Sequence, residues 1–486
     1  LVTMSNNTPY TPDPRFMALG PDFSDPVEPA AFPKAIERFW NGRWAAATGL
    51  ETLNAAARIA HFQRFEPLPG NQPEPLAMRY HGHQFRHYNP QIGDGRGFLF
   101  AQLRDGQGRL LDLATKGSGQ TPWSRAGDGR LTLKGAVREI LAAQLLEALG
   151  VYTSKLFAVF ETGVPLQRHD EPSPTRSAVM TRLGHSHLRF GSFQRQAYEQ
   201  SPERINALID HAIAEYYPAL AGSEDRPAAL LEAVVAANAR LAASWMAAGF
   251  VHGVLNTDNL NLTGESFDYG PWRFLPHYDP GFTAAYFDES GLYAYARQPE
   301  AVFWALQQLA GALSLAGERE SLEAALNTFP ALYRQALLDM FLARFGIASR
   351  GDGNDEAMLR AFLAFMLASR LPWEAAFFDW FGGPASQDRA MQGPRSAAYA
   401  GEAFEAWHGL LIQHEAVRPE RLEHAYFARA EPVAMTIDVV EAIWARIAGE
   451  DDWSALDAAL ADIELARQGY DLGRDDQGAG RTGFLP

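Results

Sequence analysis

The hydrophobic period of this chain changes near residue 200, and that change limits what it can fold into. Across residues 76–200, short β-prone runs alternate with glycine clusters at Gly93, Gly95 and Gly97, at Gly106 and Gly108, and at Gly117 and Gly119. Residues 98–103 read as a strand, Asp105-Gly106-Gln107-Gly108 as a turn, and residues 110–115 as the returning strand. Residues 132–149 read as an amphipathic helix with Leu133, Val137, Ile140, Leu141, Leu145 and Leu149 on one face and Gly150 as the stop. Beyond residue 200 the period is helical: 202–217, 227–248, then 299–316, 321–345, 356–370, 397–414 and 437–448, interrupted by a loop-rich stretch over 249–298. The expected class is α+β, with a β-rich lobe followed by a larger helical one.

The expected organisation is an N-terminal extension over residues 1–75 that packs on the lobes and holds one helix near 33–52. After it come the β-rich lobe over 76–200, a helical lobe over 201–350, a helical C-terminal region over 351–470, and a polar, glycine-rich disordered tail over 471–486.

Charge and cysteine usage narrow the chemistry. The formal net charge is −16, which argues against a dedicated nucleic-acid binder. Zero cysteines exclude disulfides, thiolate metal sites and a cysteine nucleophile. No run of about 18 apolar residues is present to span a bilayer, and residues 1–30 are too acidic for a presequence. A cytoplasmic protein is the expectation, and a monomer is expected too, although nothing in the sequence fixes the oligomeric state. Lysine occurs only at 34, 116, 134 and 155, in a chain with 42 Lys and Arg together. Base composition explains most of that bias, yet it draws attention to each lysine, because an ammonium and a guanidinium are not interchangeable at a tight site.

Four features carry chemistry. Gln91-Ile-Gly-Asp-Gly-Arg-Gly97 is a glycine-rich turn entering a strand. Such a turn either only reverses the chain or lets backbone N–H groups approach phosphate oxygens. Lys116 ends the next strand, and Arg138-Glu139 lie in the following helix. Alone, these are a surface lysine and a solvated glutamate. In this order they match the way kinase-like folds aim an ammonium at nucleotide phosphates. Last comes His252-Gly-Val-Leu-Asn-Thr-Asp-Asn259, with Asp268-Tyr-Gly270 nine residues on. Asp258, Asn259 and Asp268 supply a carboxylate for an attacking hydroxyl and oxygen ligands for Mg²⁺. Read otherwise, they form an Asx-rich loop of turns. The spacing is shorter than in ordinary kinases, and His-Arg-Asp is absent.

Long ordered motifs then resemble the selenoprotein O / YdiU family: Tyr80-His-Gly-His-Gln-Phe85, Gln91 to Arg96, Lys116-Gly-Ser-Gly-Gln-Thr-Pro-Trp-Ser-Arg125, Gly127-Asp-Gly-Arg130, Val137-Arg-Glu139, Ser186-His-Leu-Arg-Phe-Gly191, Asn256-Thr-Asp-Asn259 and Asp268-Tyr-Gly-Pro271. The likeness is dense over residues 80–310, including Gln298-Pro299 and Trp304, and fades beyond about 350. The resemblance implies a pseudokinase-like bilobal fold that moves AMP, with ATP bound in reverse, its γ-phosphate inward and its α-phosphate toward the acceptor. It implies transfer to Ser, Thr or Tyr hydroxyls of proteins, with pyrophosphate leaving and Mg²⁺ or Mn²⁺ required.

Carried over by motif, Gly93, Gly95, Arg96, Lys116, Asp128, Gly129, Arg182, Arg189 and Asp268 bind ATP. By the same resemblance Asp258 would accept the proton, Asn259 and Asp268 would hold the metal, and Glu139 would position Lys116. Guanidinium forks bind phosphate bidentately, which suits Arg182 and Arg189. Without the family, both read as surface arginines. Alternatives are UMP transfer with Mn²⁺, a true phosphotransferase, and a nucleotide-binding scaffold without catalysis.

The chain departs from the family in places. His81 stands where a small residue is usual, giving His81, His83 and His87, a spacing that suits a metal but better suits satisfied or stacked loop histidines. Arg297 replaces an expected Asn before Gln298-Pro299. The C-terminal cysteine or selenocysteine of many members is missing, so redox control through it is not expected. The divergent half beyond 350 leaves substrate choice open.

Overall fold

A computed structural model describes residues 8–169, 171–351 and 353–472. Among them, nine strands form one sheet: β1 (Thr11–Pro12), β2 (Ser24–Pro26), β3 (Ile36–Trp40), β4 (Leu76–Met78), β7 (Leu99–Arg104), β8 (Leu110–Lys116), β9 (Leu131–Thr132), β10 (Lys155–Glu161) and β11 (Ser177–Gly184). A hairpin, β5 (Gly82–Gln84) with β6 (His87–Asn89), and a short pair, β12 (Phe250–Val251) with β13 (Arg273–Phe274), stand apart. The main path runs β2-β4-β7-β8-β11-β10-β3, with β1 added on β7 and β9 on β11; every pairing is antiparallel.

The central strands β8, β10 and β11 are buried throughout because both faces are covered. One face packs Leu111, Leu113, Phe157, Phe160 and Val179 against Phe62 and Phe65 of the N-terminal segment. The other sends Leu110, Leu156, Val159 and Met180 to the helix α3 (Leu133–Ala148). A register shift between Leu156 and Ala158 breaks the alternation, so Phe157 and Ala158 face the same side. Thr132 starts α3 by accepting the Gly135 N–H at 3.1 Å, and Gly150 follows its end at φ +80°.

The helix expected near 33–52 is corrected. Residues 36–40 are the strand β3 on the edge of β10, and only Gly42–Ala47 (α1) is helical, capped by Asn41. Ile, Phe and Trp suit a half-buried pleat, and an open sheet edge beside them overrides a weak helical pattern. A second short helix, α2 (Ala55–Phe62), follows.

The remainder is helical. α4 (Phe190–Tyr198), α5 (Pro202–Glu215) and α6 (Arg226–Ala248) precede the loop-rich stretch; α7 (Gln298–Leu313), α8 (Arg319–Asn327) and α9 (Phe329–Phe345) follow it. The single helix expected over 321–345 is two, because Pro330 cannot donate to the preceding turn and restarts the helix at Phe329. Then come α10 (Asn354–Ser369), α11 (Trp373–Asp379), α12 (Gln387–Gln392), α13 (Glu402–Leu411), α14 (Ile437–Glu450) and α15 (Ser454–Tyr470). The last two return to the sheet side: Val440, Ile443, Ile463 and Tyr470 share one core with α3, and Lys134 pairs with Glu441 at 2.7 Å. The tail expectation falls outside the described residues from 473 on. Asp471 is described and accepts from Arg418 and Arg421. No helix among the described residues is long and apolar enough to cross a membrane.

Candidate functional site

The register of the sheet builds the site. Lys116 pairs with Met180, and Arg182 lies two residues along β11, so both project to the α3 side as diagonal neighbours. Glu139 of α3 meets them there: Lys116 Nζ donates to Glu139 Oε2 at 2.8 Å, and Arg182 Nε lies 2.6 Å from Glu139 Oε1. The second contact is an ion pair without hydrogen-bond alignment. Asp268 closes the group, its Oδ1 accepting from Lys116 at 2.9 Å and from Arg182 at 2.8 Å. Lys116, Arg182 and Glu139 are buried, while the Asp268 side chain keeps 27% exposure toward solvent. Burial works to raise the Asp268 carboxyl, but Lys116, Arg182, Arg189 and Arg96 outweigh it and hold the group well below the usual carboxylate range. Asp268 also sits at φ +60°, a conformation an L-residue adopts at a cost of about 1–3 kcal/mol.

The segment carrying Asp258 is pinned from several sides. His252 Nε2 meets the Phe267 carbonyl at 2.9 Å. Asn256 Oδ1 accepts from the Phe85 N–H at 3.0 Å and the Tyr293 hydroxyl at 3.1 Å. Thr257 Oγ1 accepts from the His83 N–H at 2.7 Å and donates to Gln194 at 2.6 Å. Within this pinned segment, Asp258 Oδ1 is buried with no partner. Burial pushes its carboxyl up to about 6, against the pull of Arg189. Gly82 makes room for it: a Cβ there would stand 2.8 Å from that oxygen.

Arg189 immediately precedes α4, and its side chain is locked in place instead of capping the helix. Its guanidinium donates to the Asp258 carbonyl at 2.9 Å and to Asp94 at 3.2 Å, between the rings of Tyr80 and Phe267 at 4.5 and 5.0 Å. Burial works against its charge, and Tyr80, Asp94, Asp268 and Asp258 overcome that and raise its pKa.

The glycine loop is shaped by its neighbour. A Cβ on Gly93 would lie 2.6 Å from the Trp123 ring, and one on Gly95 would lie 2.9 Å from the Trp123 carbonyl. Arg96 is exposed, and its charge is one of those that hold Asp268 low. Asp128 and Gly129 belong to the neighbouring loop, Gly129 lying against Gly119 of the Lys116 motif. Asp128 is exposed and pairs with Arg168 at 2.8 Å, while Gly129, at φ +68°, packs so closely on Gly119 that a Cβ would reach within 2.2 Å of its carbonyl carbon. Asn259 donates its amide nitrogen to the Val254 carbonyl at 2.9 Å, which leaves the amide oxygen as its free ligand atom.

That oxygen and the Asp268 carboxylate are a hard-oxygen donor set, with Asp258 kept apart as the unpartnered base. Such a set fits Mg²⁺ or Mn²⁺, which bind through one or two carboxylates plus substrate phosphates. No group of three His, Cys, Asp or Glu able to hold a metal occurs among the described residues. His81 Nδ1 lies 2.8 Å from the Tyr88 hydroxyl, the His83 ring stands edge-on to Trp304 at 5.2 Å, and the exposed His87 meets the Phe85 carbonyl at 2.9 Å.

Sequence reasoning missed Asp94, Gly82 and Arg125. Asp94 sits inside a loop read for its glycines, and an acid there gave no phosphate signal. Arg125 is exposed at φ +53°, and its charge is felt at Asp258. Only its place at the end of the Lys116 motif pointed to it.

The profile described as "Protein adenylyltransferase SelO" matches residues 7–464. The chain is 42% identical over 478 residues to the "Protein nucleotidyltransferase YdiU" of Synechococcus elongatus, covering 93% of this chain and 94% of that one. The protein of the same name from Synechocystis is 41% identical over 458 residues (91% and 95%), and that of Gloeobacter violaceus 43% over 457 residues (91% and 92%). With a family match over nearly the whole chain, and relatives at this identity spanning nearly their whole length, the chain belongs to the SelO protein adenylyltransferase family.

Proposed function

We propose that this protein is a metal-dependent adenylyltransferase on a kinase-like bilobal scaffold, moving AMP from ATP to a Ser, Thr or Tyr hydroxyl of a protein and releasing pyrophosphate. One observation carries the reading: Lys116 and Arg182, both buried, share Glu139 and Asp268, and Asp268 in turn acts electrostatically on Asp258, whose Oδ1 has no partner. Buried cations held by carboxylates but still facing an accessible acid suit an anionic substrate that enters between them. Names of the relatives support nucleotidyl rather than phosphoryl transfer.

In this reading the acceptor oxygen attacks the α-phosphorus and its proton goes to Asp258. The bond from that phosphorus to the oxygen bridging to the β-phosphorus breaks, and pyrophosphate leaves with the electron pair. A carboxyl raised to about 6 is still ionised at neutral pH and is a stronger base than a solvated aspartate. Lys116 and Arg182 stabilise the charge that pyrophosphate develops. Asn259 and Asp268 would hold the Mg²⁺ or Mn²⁺, which supplies further charge neutralisation when bound.

The test is mass spectrometry of candidate proteins after incubation with ATP and either metal, for an AMP adduct. Asp258→Ala spares ATP affinity and lowers turnover by roughly 10²–10⁴. Asp268→Ala loses metal-supported ATP binding. Equal loss of binding in both variants contradicts the division of roles.

A further inference from the structure

Tyr286 is 86% exposed and Phe287 48% exposed, side by side with ring centroids 5.1 Å apart. They do not sit on a frayed loop. Asp288, the next residue, is buried, and its carboxylate accepts the N–H groups of Leu292 and Tyr293, both at 2.8 Å. The Asp288 N–H in turn donates to the Ala285 carbonyl at 3.1 Å. Two large aromatic rings are therefore held out into solvent by a closed turn, against the hydrophobic cost of exposing them.

This turn is continuous with the segment that carries Asp258. The Phe287 ring lies 5.8 Å from Phe85, and Phe85 lies 5.0 Å from Tyr293. Phe85 N–H and Tyr293 O–H both donate to Asn256 Oδ1, two residues before Asp258. Phe85 and Arg86 are held at φ +48° and +64°, and Arg86 is fixed over Trp304 and to Glu300. Such consecutive left-handed residues persist only where their surroundings impose them. The same few side chains thus fix both the base and the aromatic pair.

The geometry points to Tyr286 and Phe287 as the docking surface for the acceptor protein, taking an aromatic or branched aliphatic side chain within about four residues of the modified hydroxyl. This rests on the proposed transfer to protein hydroxyls. An extended acceptor advances about 3.3 Å per residue, and Phe287 connects to the Asp258 segment through only Phe85 and Asn256, so the pair is within a few residues' reach of a hydroxyl presented at Asp258. Exposed aromatic rings on a rigid support are the usual anchors for such side chains.

The experiment uses a peptide library with one Ser, Thr or Tyr and flanking positions fixed in turn as Phe, Leu, Lys, Asp or Gly. Binding is measured to the full-length protein saturated with α,β-methylene-ATP, and AMP incorporation is measured separately with ATP. Peptides with a Phe or Leu flank bind at least about tenfold tighter than those with Asp or Gly, the worth of one well-packed anchor. Tyr286→Ser/Phe287→Ser removes that preference and leaves nucleotide affinity unchanged; Tyr286→Phe keeps it. Equal binding across the library, or a preference that survives the double substitution, overturns the proposal. Concentration-dependent self-association that the double substitution abolishes assigns the pair to a second copy and also overturns it. A flank preference without AMP incorporation on any peptide keeps the docking surface and rejects the transfer reaction instead.

Discussion

Lys116 and Arg182 are held by the same two carboxylates: each meets Glu139 through a different oxygen, and both meet the single Oδ1 of Asp268. The arrangement couples the sheet, α3 and the segment after Asp258 through four side chains. It gives Glu139 a wider role than positioning one lysine, since it anchors both buried cations.

Glu139→Gln therefore leaves two buried cations sharing Asp268 alone. Removing one partner of a buried charge group costs about 3–5 kcal/mol, so a lower unfolding temperature and weaker ATP binding are expected together. Thermal unfolding with and without ATP measures both, and an unchanged melting temperature contradicts the shared anchor.

Lys116→Arg keeps the charge and loses the function. Nζ fits between Glu139 and Asp268 with the Arg182 guanidinium already on the same two groups, and a second planar fork displaces one of them. A misplacement of this size costs on the order of 10²-fold in turnover. Wild-type-like kinetics would show that composition alone, not geometry, accounts for this lysine.

Several of these relationships were legible in the sequence and others were not. Strands β7 and β8, their turn and α3 follow local period and glycine placement, so Lys116 and Glu139 could be read together. Arg182 could not be joined to Glu139 without the register of β11 on β8, which is a property of the sheet and not of spacing. β1 and β2, two and three residues long, have too little pattern to be seen, and they exist because neighbouring strands offer partners. Asp94 was hidden because its task is to orient Arg189, a contact that no phosphate motif announces.

Arg125→Ala lowers turnover more than it lowers ATP affinity. The residue is exposed, is held in left-handed backbone, and lowers the Asp258 carboxyl from outside the buried group. In the proposed reaction its charge acts on the base and not on the buried cations. Steady-state kinetics checks this: an equal change in KM for ATP and no change in kcat contradicts it.

Stability falls as pH drops from neutral toward 4. Burial pushes His185 down to about 4 from an ordinary value of 6.5, and its Nδ1 meets the Tyr152 hydroxyl at 2.6 Å. The unfolded chain takes up this proton below pH 6.5 while the folded chain resists until about 4. The neutral imidazole's contribution is therefore fully present above 6.5 and lost across that window, up to ~3 kcal/mol. His185→Gln flattens the decline in denaturant midpoint between pH 7 and 4.5, and an identical slope in the variant contradicts the assignment.

In the proposed reaction the α-phosphorus of ATP is the one that moves. Incubation of the full-length protein and an acceptor with ATP labelled at the α-phosphorus, in parallel with ATP labelled at the γ-phosphorus, measures this directly. Protein-bound label is expected from the α position, dependent on Asp258 and Asp268, and none from the γ position. Label entering from the γ position alone would contradict it and make the chain a phosphotransferase.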